Sequence, residues 1–158
     1  MRTLLYAVLL AASLVATPAA SAAEPATEHN RRVVAAAFAA WAAGGSGFFD
    51  EVLAPDVVWT IAGSGPSAGT YRGREALLTG AVEPLTRHLA TPVRPVSHRV
   101  WADGEHVVVD WQGEATTTAG RPYRNSYAWI LRMEDGRAVE VKAYLDLAAY
   151  DAVVRPAP

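Results

Sequence analysis

The feature of the sequence that most constrains the fold is a run of four segments in its second half, separated by three glycine turns. The turns are Asp103-Gly104, Ala119-Gly120 and Asp135-Gly136, and the segments between them are rich in β-branched and aromatic residues. Asp-Gly between alternating segments is a strong hairpin signal, because both turn residues must tolerate a positive φ. The pattern predicts strands at about 93–102, 105–118, 122–134 and 137–148, paired as an antiparallel meander.

Helical spacing dominates the first half of the mature chain. Apolar residues recur at positions 33, 34, 37, 38 and 41 after Asn30, a candidate N-cap, and a second short helix and a strand at 56–62 follow. A third helix is predicted at about 74–90, where Pro84 should produce a kink because it removes one backbone hydrogen bond. Helices first and strands afterwards indicate an α+β domain.

The first 22 residues have the features of a secretory signal peptide. Arg2 precedes an apolar run from Leu4 to Ala16, and Ala20-Ser21-Ala22 is a small-x-small cleavage site. The run is short for a membrane span, which needs about 20 residues, although an uncleaved N-terminal anchor is the alternative. We predict a signal peptide (1–22), a flexible leader (23–29), one domain (30–150) and a C-terminal tail (151–158). The mature protein is expected to be exported and free of the membrane.

Composition narrows the function classes. A formal net charge of −2 and a pI near 6.1 give no basic surface for nucleic acid, so no nucleic-acid partner is predicted. The chain has no cysteine, so its stability depends on a core to which five Trp, six Tyr and three Phe can contribute. The four histidines have no metal-site spacing and no phosphate-binding loop is present, so neither metal nor cofactor is predicted.

Candidate site residues come from the last two predicted strands. Tyr144 and Asp146 end the final strand, and a strand rim facing a pocket lets an acid meet an apolar substrate without full desolvation. Asn125, Tyr127 and Trp129 share one face of the preceding strand, because side chains alternate with a period of two. They are expected either to line a cavity or to belong to the core.

The order of these elements resembles the nuclear transport factor 2-like superfamily. Within it, the sequence is similar to SnoaL-like and ketosteroid-isomerase-related bacterial proteins over about residues 30–150. The resemblance is carried by Tyr71-Arg72-Gly73-Arg74-Glu75, Tyr123-x-Asn125-x-Tyr127-Ala128-Trp129, Asp135-Gly136-Arg137 and Tyr144-Leu145-Asp146. It implies a cone-shaped roll, with N-terminal helices packed in a strongly bent antiparallel sheet around a cavity. Enzymes of the superfamily place a carboxylate and one or two hydrogen-bond donors in that cavity.

The chain departs from the catalytic patterns of these relatives. Where steroid isomerases carry their general-base Asp, the nearest residues here are Thr60 and Ile61. Asp146 instead resembles the last-strand acid of limonene-epoxide-hydrolase-type enzymes, whose partners would correspond to Arg124 and Asn125. Because Asn cannot act as a base, that catalytic set is incomplete. The resemblance therefore implies the fold more strongly than any reaction.

We accordingly expect an internal pocket for a small, largely apolar molecule. If the protein is an enzyme, the expected chemistry is cofactor-free acid–base catalysis of the isomerase, cyclase or epoxide-hydrolase type. Asp146 would transfer the proton, while Asn125 and Tyr127 would position substrate or water. The expected ligand wall consists of Trp59, Tyr71, Trp111, Trp129 and Tyr144.

Other interpretations of the same residues remain open from the sequence. Asp146 could bond a neighbouring strand or cap the segment that follows it, and the aromatic residues could be ordinary core. The protein could also be a non-catalytic binding module or a dimeric scaffold. The resemblance implies a homodimer, since bent sheets of this superfamily often pair through their outer faces. The mixed polar outer side formed by Asp110, Gln112 and Glu114 is compatible with such an interface.

Overall fold

The computed structural model of the protein describes residues 24–155. The predicted signal peptide lies outside the described residues, as do the last three residues of the predicted tail. The helices are α1 (Ala26–Ala42), α2 (Phe48–Val52), α3 (Arg74–Leu77), α4 (Glu83–Thr86) and α5 (Leu147–Val154), with a π-helical turn at Leu78–Val82. The strands are β1 (Leu53–Ile61), β2 (Gly69–Arg72), β3 (Arg94–Asp103), β4 (His106–Thr116), β5 (Pro122–Glu134) and β6 (Arg137–Leu145).

The strands form one sheet in the order β2-β1-β6-β5-β4-β3. The predicted meander is present as β3 to β6, and the predicted α+β roll is confirmed. One feature differs from a wholly antiparallel sheet: β1 runs parallel to β6, so the sheet is mixed. Register shifts in the β1–β6, β3–β4 and β5–β6 pairs mark irregularities of the kind that bend a sheet.

The β5–β6 turn has the backbone conformation that its sequence predicts. Asp135 has φ 48° and is the single non-glycine residue with positive φ among the described residues, while Gly136 has φ 75°. Two positive φ values fit the right-handed twist of the flanking strands. The turn therefore fixes the β5–β6 register, which brings Tyr127 opposite Leu145 near the end of the hairpin.

The helix boundaries differ from the prediction at both ends of the domain. Helix α1 begins at Ala26 after Pro25, so most of the predicted leader is helical, and Asn30 is a buried helical residue rather than the N-cap. At the other end, α5 includes the first part of the predicted tail. The predicted third helix ends at Thr86, and its π-helical turn lies just before Pro84, whose missing N–H cannot join the regular ladder.

The core lies between the inward face of the sheet and the helices. Val34 and Phe38 of α1 are fully buried against it, and every second residue of β5 from Tyr123 to Met133 is buried. This alternation places Asn125, Tyr127 and Trp129 together on the inner face. No helix within the described range is both long and apolar enough to cross a membrane.

Candidate functional site

A cavity of about 480 Å³ lies between the helices and the inner face of the sheet. Its exposed lining residues, Ser46, Thr86 and Pro92, mark the opening. The wall is predominantly aromatic and aliphatic: its apolar side chains are those of Trp41, Phe48, Phe49, Trp59, Ile61, Leu77, Leu78, Ala81, Val82, Leu85, Val93, Trp111, Trp129, Ala143 and Leu145. Such a volume and lining are typical of sites for small organic molecules.

The polar groups of the wall are few, and several already have partners. The hydroxyl of Tyr150 donates to the carbonyl of Ala81 at 2.7 Å, and the indole N–H of Trp41 donates to the carbonyl of Val93 at 2.9 Å. Among the described residues, no Asp, Glu, His or Lys lines the cavity. The wall therefore holds no group that transfers protons readily near neutral pH.

Arg94 supplies the positive charge of the cavity wall. Its Nη1 atom donates to the carbonyls of Trp41 and Gly45, at 3.2 and 2.5 Å, and so ties the start of β3 to the end of α1. Glu114 is its cross-strand neighbour but pairs with Arg124 at 3.1 Å. A cation beside the last carbonyls of a helix is electrostatically favourable, so Arg94 has a structural role besides lining the cavity.

A chain of hydrogen bonds links the cavity wall to the end of β6. The Asn125 side chain binds both backbone groups of Asp146: its Oδ1 accepts from the Asp146 N–H at 2.9 Å, and its Nδ2 donates to the Asp146 carbonyl at 2.9 Å. The same Nδ2 donates to the Tyr123 hydroxyl at 3.0 Å, which lies 2.9 Å from the Tyr127 hydroxyl. All four links are buried or partly buried, and Tyr127 is their cavity-lining end.

Burial keeps the tyrosines of this region in their neutral form. Desolvation raises the pKa of Tyr127 far above its ordinary value, and it also raises the pKa of Tyr123, against the opposing effect of its hydrogen bonds. The pKa of Tyr150 is raised to about 12, again mainly by burial. These hydroxyls are therefore hydrogen-bonding groups rather than bases at neutral pH.

Asp146 lies outside the cavity, which corrects its predicted role as the proton-transfer group. Its side chain is exposed, and its Oδ1 accepts from the backbone N–H of Ala149 at 3.1 Å, which makes it the N-cap of α5. This geometry matches the alternative interpretation, in which Asp146 caps the segment that follows. Asn125 is likewise absent from the cavity lining. Its side chain bonds Asp146 and Tyr123, so its role is to hold the end of β6 against β5.

The predicted ligand wall divides into two groups. Trp59, Trp111 and Trp129 lie in the cavity wall, together with Tyr127. Tyr71 and Tyr144 do not: the ring of Tyr71 lies against Gly80, and Tyr144 is 42% exposed on the outer sheet face beneath the Lys142 ammonium group. The period-two rule that places Tyr127 and Trp129 inside also places Tyr144 outside, because β6 turns Val141 and Ala143 inward.

The helices contribute wall residues that sequence reasoning had not assigned to the site. The sequence places Trp41, Phe48 and Phe49 on the apolar faces of helices, and it places Tyr150 at the end of the predicted domain, between the predicted final strand and the predicted tail. Asp146 followed by Leu-Ala-Ala-Tyr could have indicated an N-cap and a helix. Within residues 24–155, no group of three or more His, Asp or Glu is close enough to hold a metal ion.

Comparison with known proteins identifies a related family. The model of the SnoaL-like domain family matches residues 34–141, which is more than half of the chain. A curated relative, the dimerizing cyclase phiC from a fungal species, is 28% identical over 102 residues. That match covers 61% of this chain and 44% of the relative, so the chain spans less than half the length of that enzyme.

Solved structures share the fold at low sequence identity. An NTF2-like protein from Burkholderia xenovorans superposes with a TM-score of 0.61 at 23% identity, covering 84% of this chain and 100% of the other. TerC, co-crystallized with polyporic acid, gives a TM-score of 0.63 at 21% identity, covering 80% and 98%. Bal32a, from a soil-derived mobile gene cassette, gives 0.66 at 21% identity, covering 82% and 98%. At these identities the similarity establishes the fold.

Proposed function

We propose that this protein, which belongs to the SnoaL-like domain family, binds a small, largely apolar ring compound in its internal cavity. The observation that carries the proposal is the cavity itself, whose volume of about 480 Å³ is bounded almost entirely by aromatic and aliphatic side chains. Flat indole and phenol rings offer large contact areas with little loss of conformational entropy. A planar ring compound is therefore the ligand shape that this wall favours.

Binding is a better-supported role than acid–base catalysis. A general acid or base must lie within hydrogen-bond reach of the reacting atom, and the described cavity wall contains no carboxylate or imidazole. Asp146, the residue first assigned to proton transfer, is on the outside of the cavity as a helix cap. The cavity also remains open although Trp59, Trp111 and Trp129 all line it, which argues against a purely structural scaffold.

A second candidate function is cyclase-type catalysis without a proton-transferring carboxylate. The related phiC is named a dimerizing cyclase, and a flexible substrate that closes into a ring would suit an aromatic wall. In that case the wall would fold a flexible substrate into its reactive conformation, which accelerates ring closure through proximity alone. Turnover of a linear precursor by the purified protein would favour this candidate over simple binding.

Fluorescence of N-phenyl-1-naphthylamine, a neutral apolar ring compound, tests the binding proposal. We expect saturable enhancement with the mature protein, and loss of binding in Ala143→Phe, which places a ring inside the cavity from β6. Ala128→Phe is the matched control, because Ala128 is paired beside the same region on the outer face of β5. Equal binding by the wild type and Ala143→Phe would show that the probe does not occupy the cavity.

A further inference from the structure

The hydrogen bonds that end at Tyr127 have one consistent direction, and that direction begins at Asn125. The Asp146 N–H needs an acceptor, so the Asn125 amide must present Oδ1 to it, and its Nδ2 then donates to the Asp146 carbonyl, which also accepts from the Tyr150 N–H. A flipped amide would place oxygen against oxygen and N–H against N–H. The orientation of Asn125 is therefore set by the backbone at the end of β6.

This orientation makes the Tyr123 hydroxyl an acceptor. Asn125 Nδ2 can only donate, and it lies 3.0 Å from the Tyr123 oxygen. Tyr123 is 2% exposed, so its own O–H proton needs a protein acceptor, and the Tyr127 oxygen at 2.9 Å is the one within reach among the described residues. If Tyr127 donated to Tyr123 instead, the Tyr123 proton would be buried without an acceptor, which is unfavourable.

Tyr127 is then left with an O–H proton that no described protein atom accepts, on a ring that forms part of the cavity wall. We infer that Tyr127 is a preoriented hydrogen-bond donor for an acceptor oxygen of the ligand, and that the ligand class is a ring compound carrying a carbonyl oxygen. Asn125 and Tyr123 are positioning residues that direct this proton. The inference rests on the proposed function, since it assumes a ligand in the cavity.

Tyr150 provides the contrast that makes the assignment specific. It is also a buried tyrosine of the cavity wall, but its proton is donated to the carbonyl of Ala81 at 2.7 Å. Of the two wall tyrosines, only Tyr127 has a proton left for a ligand. Accepting a hydrogen bond from Tyr123 also polarises the Tyr127 O–H group and strengthens it as a donor.

Competition between two matched compounds tests the inference. 1-Tetralone and tetralin share one ring skeleton, and tetralone adds a single carbonyl oxygen. We measure how strongly each displaces N-phenyl-1-naphthylamine from wild-type protein, from Tyr127→Phe and from Tyr144→Phe, a control on the outer sheet face away from the cavity. Each affinity is compared with the compound's transfer from water to cyclohexane, which cannot donate a hydrogen bond, so that the preference reports the site rather than general solubility.

Wild type and Tyr144→Phe should bind tetralone roughly three- to tenfold tighter than transfer predicts, which is the size of one neutral hydrogen bond. Tyr127→Phe should lose this preference and still bind the naphthylamine, because phenylalanine keeps the ring in the wall. The preference surviving in Tyr127→Phe, or disappearing in Tyr144→Phe, would overturn the assignment of Tyr127.

The carbonyl stretch of ¹³C-labelled tetralone gives a second measurement, which reports the hydrogen bond to the bound molecule directly and is read only from variants that still bind the naphthylamine. Bound to the wild type, it should shift to lower frequency than in an apolar solvent, because a donor at the oxygen weakens the C=O bond. The shift should be absent in Tyr127→Phe and reduced in Tyr123→Phe, where Tyr127 no longer receives its polarising bond. An unshifted wild-type band would overturn the inference, and a full shift in Tyr123→Phe would overturn the positioning role of Tyr123.

Failure of the inference and failure of the proposed function give different results. If the naphthylamine binds but tetralone shows no preference and no shift, the cavity binds apolar compounds and only the Tyr127 assignment is wrong. If neither the naphthylamine nor the two competitors bind, the proposed function is wrong, and the Tyr127 assignment is overturned with it.

Discussion

The indole ring of Trp111 lies flat against the phenol ring of Tyr127, with their centroids 3.9 Å apart and their planes at 9°. The two residues are directly paired across β4 and β5, so the strand register itself brings the rings together. The Trp111 Nε1–H is buried and has no hydrogen-bond partner within the described part of the chain, so packing alone holds this ring. The stack fixes the position of the Tyr127 ring in the cavity wall.

The stack depends on the absence of a side chain at Gly113. A Cβ atom there would lie 2.8 Å from Trp111 Cζ3, 2.9 Å from Val93 Cγ1 and 3.1 Å from Tyr127 Cε2. We predict that Gly113→Ala lowers the free energy of unfolding by about 1–3 kcal/mol, because buried rings must shift to admit the methyl group. The same change should weaken naphthylamine binding, because all three of these neighbours line the cavity.

Gly69→Ala is the matched control for the Gly113 prediction. Gly69 also lies in a strand, but a Cβ atom there meets nothing within 4 Å. Urea unfolding of this variant should match the wild type or show a small gain, because alanine restricts the unfolded chain more than glycine does. Equal stability of the two variants would mean that the stack tolerates an added methyl group.

Substitutions of Asp146 should affect stability and leave binding unchanged. Its carboxylate caps α5 through the Ala149 N–H, and asparagine caps helices about as well as aspartate. We therefore expect Asp146→Asn to be nearly neutral and Asp146→Ala to cost about 1 kcal/mol in unfolding free energy. Naphthylamine affinity should be the same in both variants. A loss of binding in Asp146→Asn without a loss of stability would contradict this prediction and would show that Asp146 contributes to the binding site.

Stability should fall at alkaline pH because buried tyrosines resist ionisation. In the unfolded chain a tyrosine has a pKa of about 10. In the folded protein, burial raises the pKa of Tyr150 to about 12, and it also raises the pKa values of Tyr123 and Tyr127. Above pH 10 the unfolded state releases protons that the folded state retains, so the free energy of unfolding decreases as pH rises. Below the unfolded pKa this contribution is fully present.

Urea unfolding between pH 8 and 11 measures this dependence. Lys142 is the single lysine of the chain, so amine titration contributes little in that range. Tyr150→Phe should reduce the loss of unfolding free energy above pH 10, because the variant lacks one of the tyrosine protons that the folded state retains. Tyr144→Phe, on the outer sheet face, serves as the control and should keep the wild-type slope. An identical slope in Tyr150→Phe would contradict the prediction.

Homodimer formation remains a prediction, and the outer sheet face gives it a test. Trp101 and Tyr144 are 49% and 42% exposed on this face, among the charged and polar residues Asp110, Gln112 and Glu114. Light scattering of the mature protein should give roughly twice the monomer mass, since such mixed surfaces are typical of homodimer contacts. Trp101→Glu should shift the mass toward the monomer, while Ala76→Glu on α3 should not. A monomeric wild type at high micromolar concentration would rule out this assembly.

Export is predicted from residues outside the described range. The charged start, the apolar run and Ala20-Ser21-Ala22 together favour cleavage after Ala22. N-terminal sequencing of protein recovered outside the cytoplasm should begin at Ala23. An intact Met1 in that fraction would support the alternative of an uncleaved anchor.

Local sequence patterns determined the strands, their faces and the fold class. The positive φ values at Asp135 and Gly136 depend on two residues and their neighbours, and the alternation along β5 correctly assigned Asn125, Tyr127 and Trp129 to one face. The fold class followed from the order of elements, because helices followed by a meander can bury their apolar faces in few ways. Each of these properties depends on interactions between residues close together in the chain.

The site depended on contacts between residues far apart in the chain. The position of Asp146 depends on where β6 ends and α5 begins. Asn125, on the neighbouring strand β5, helps to fix that position because its side chain bonds both backbone groups of Asp146. Trp41 and Tyr150 became wall residues because α1 and α5 pack at the two sides of the cavity. Period and propensity assign a side chain to a face, but the packing of distant elements determines what that face meets. Only the tertiary structure could therefore show that Asp146 caps a helix and that aromatic side chains, Tyr127 among them, line the cavity.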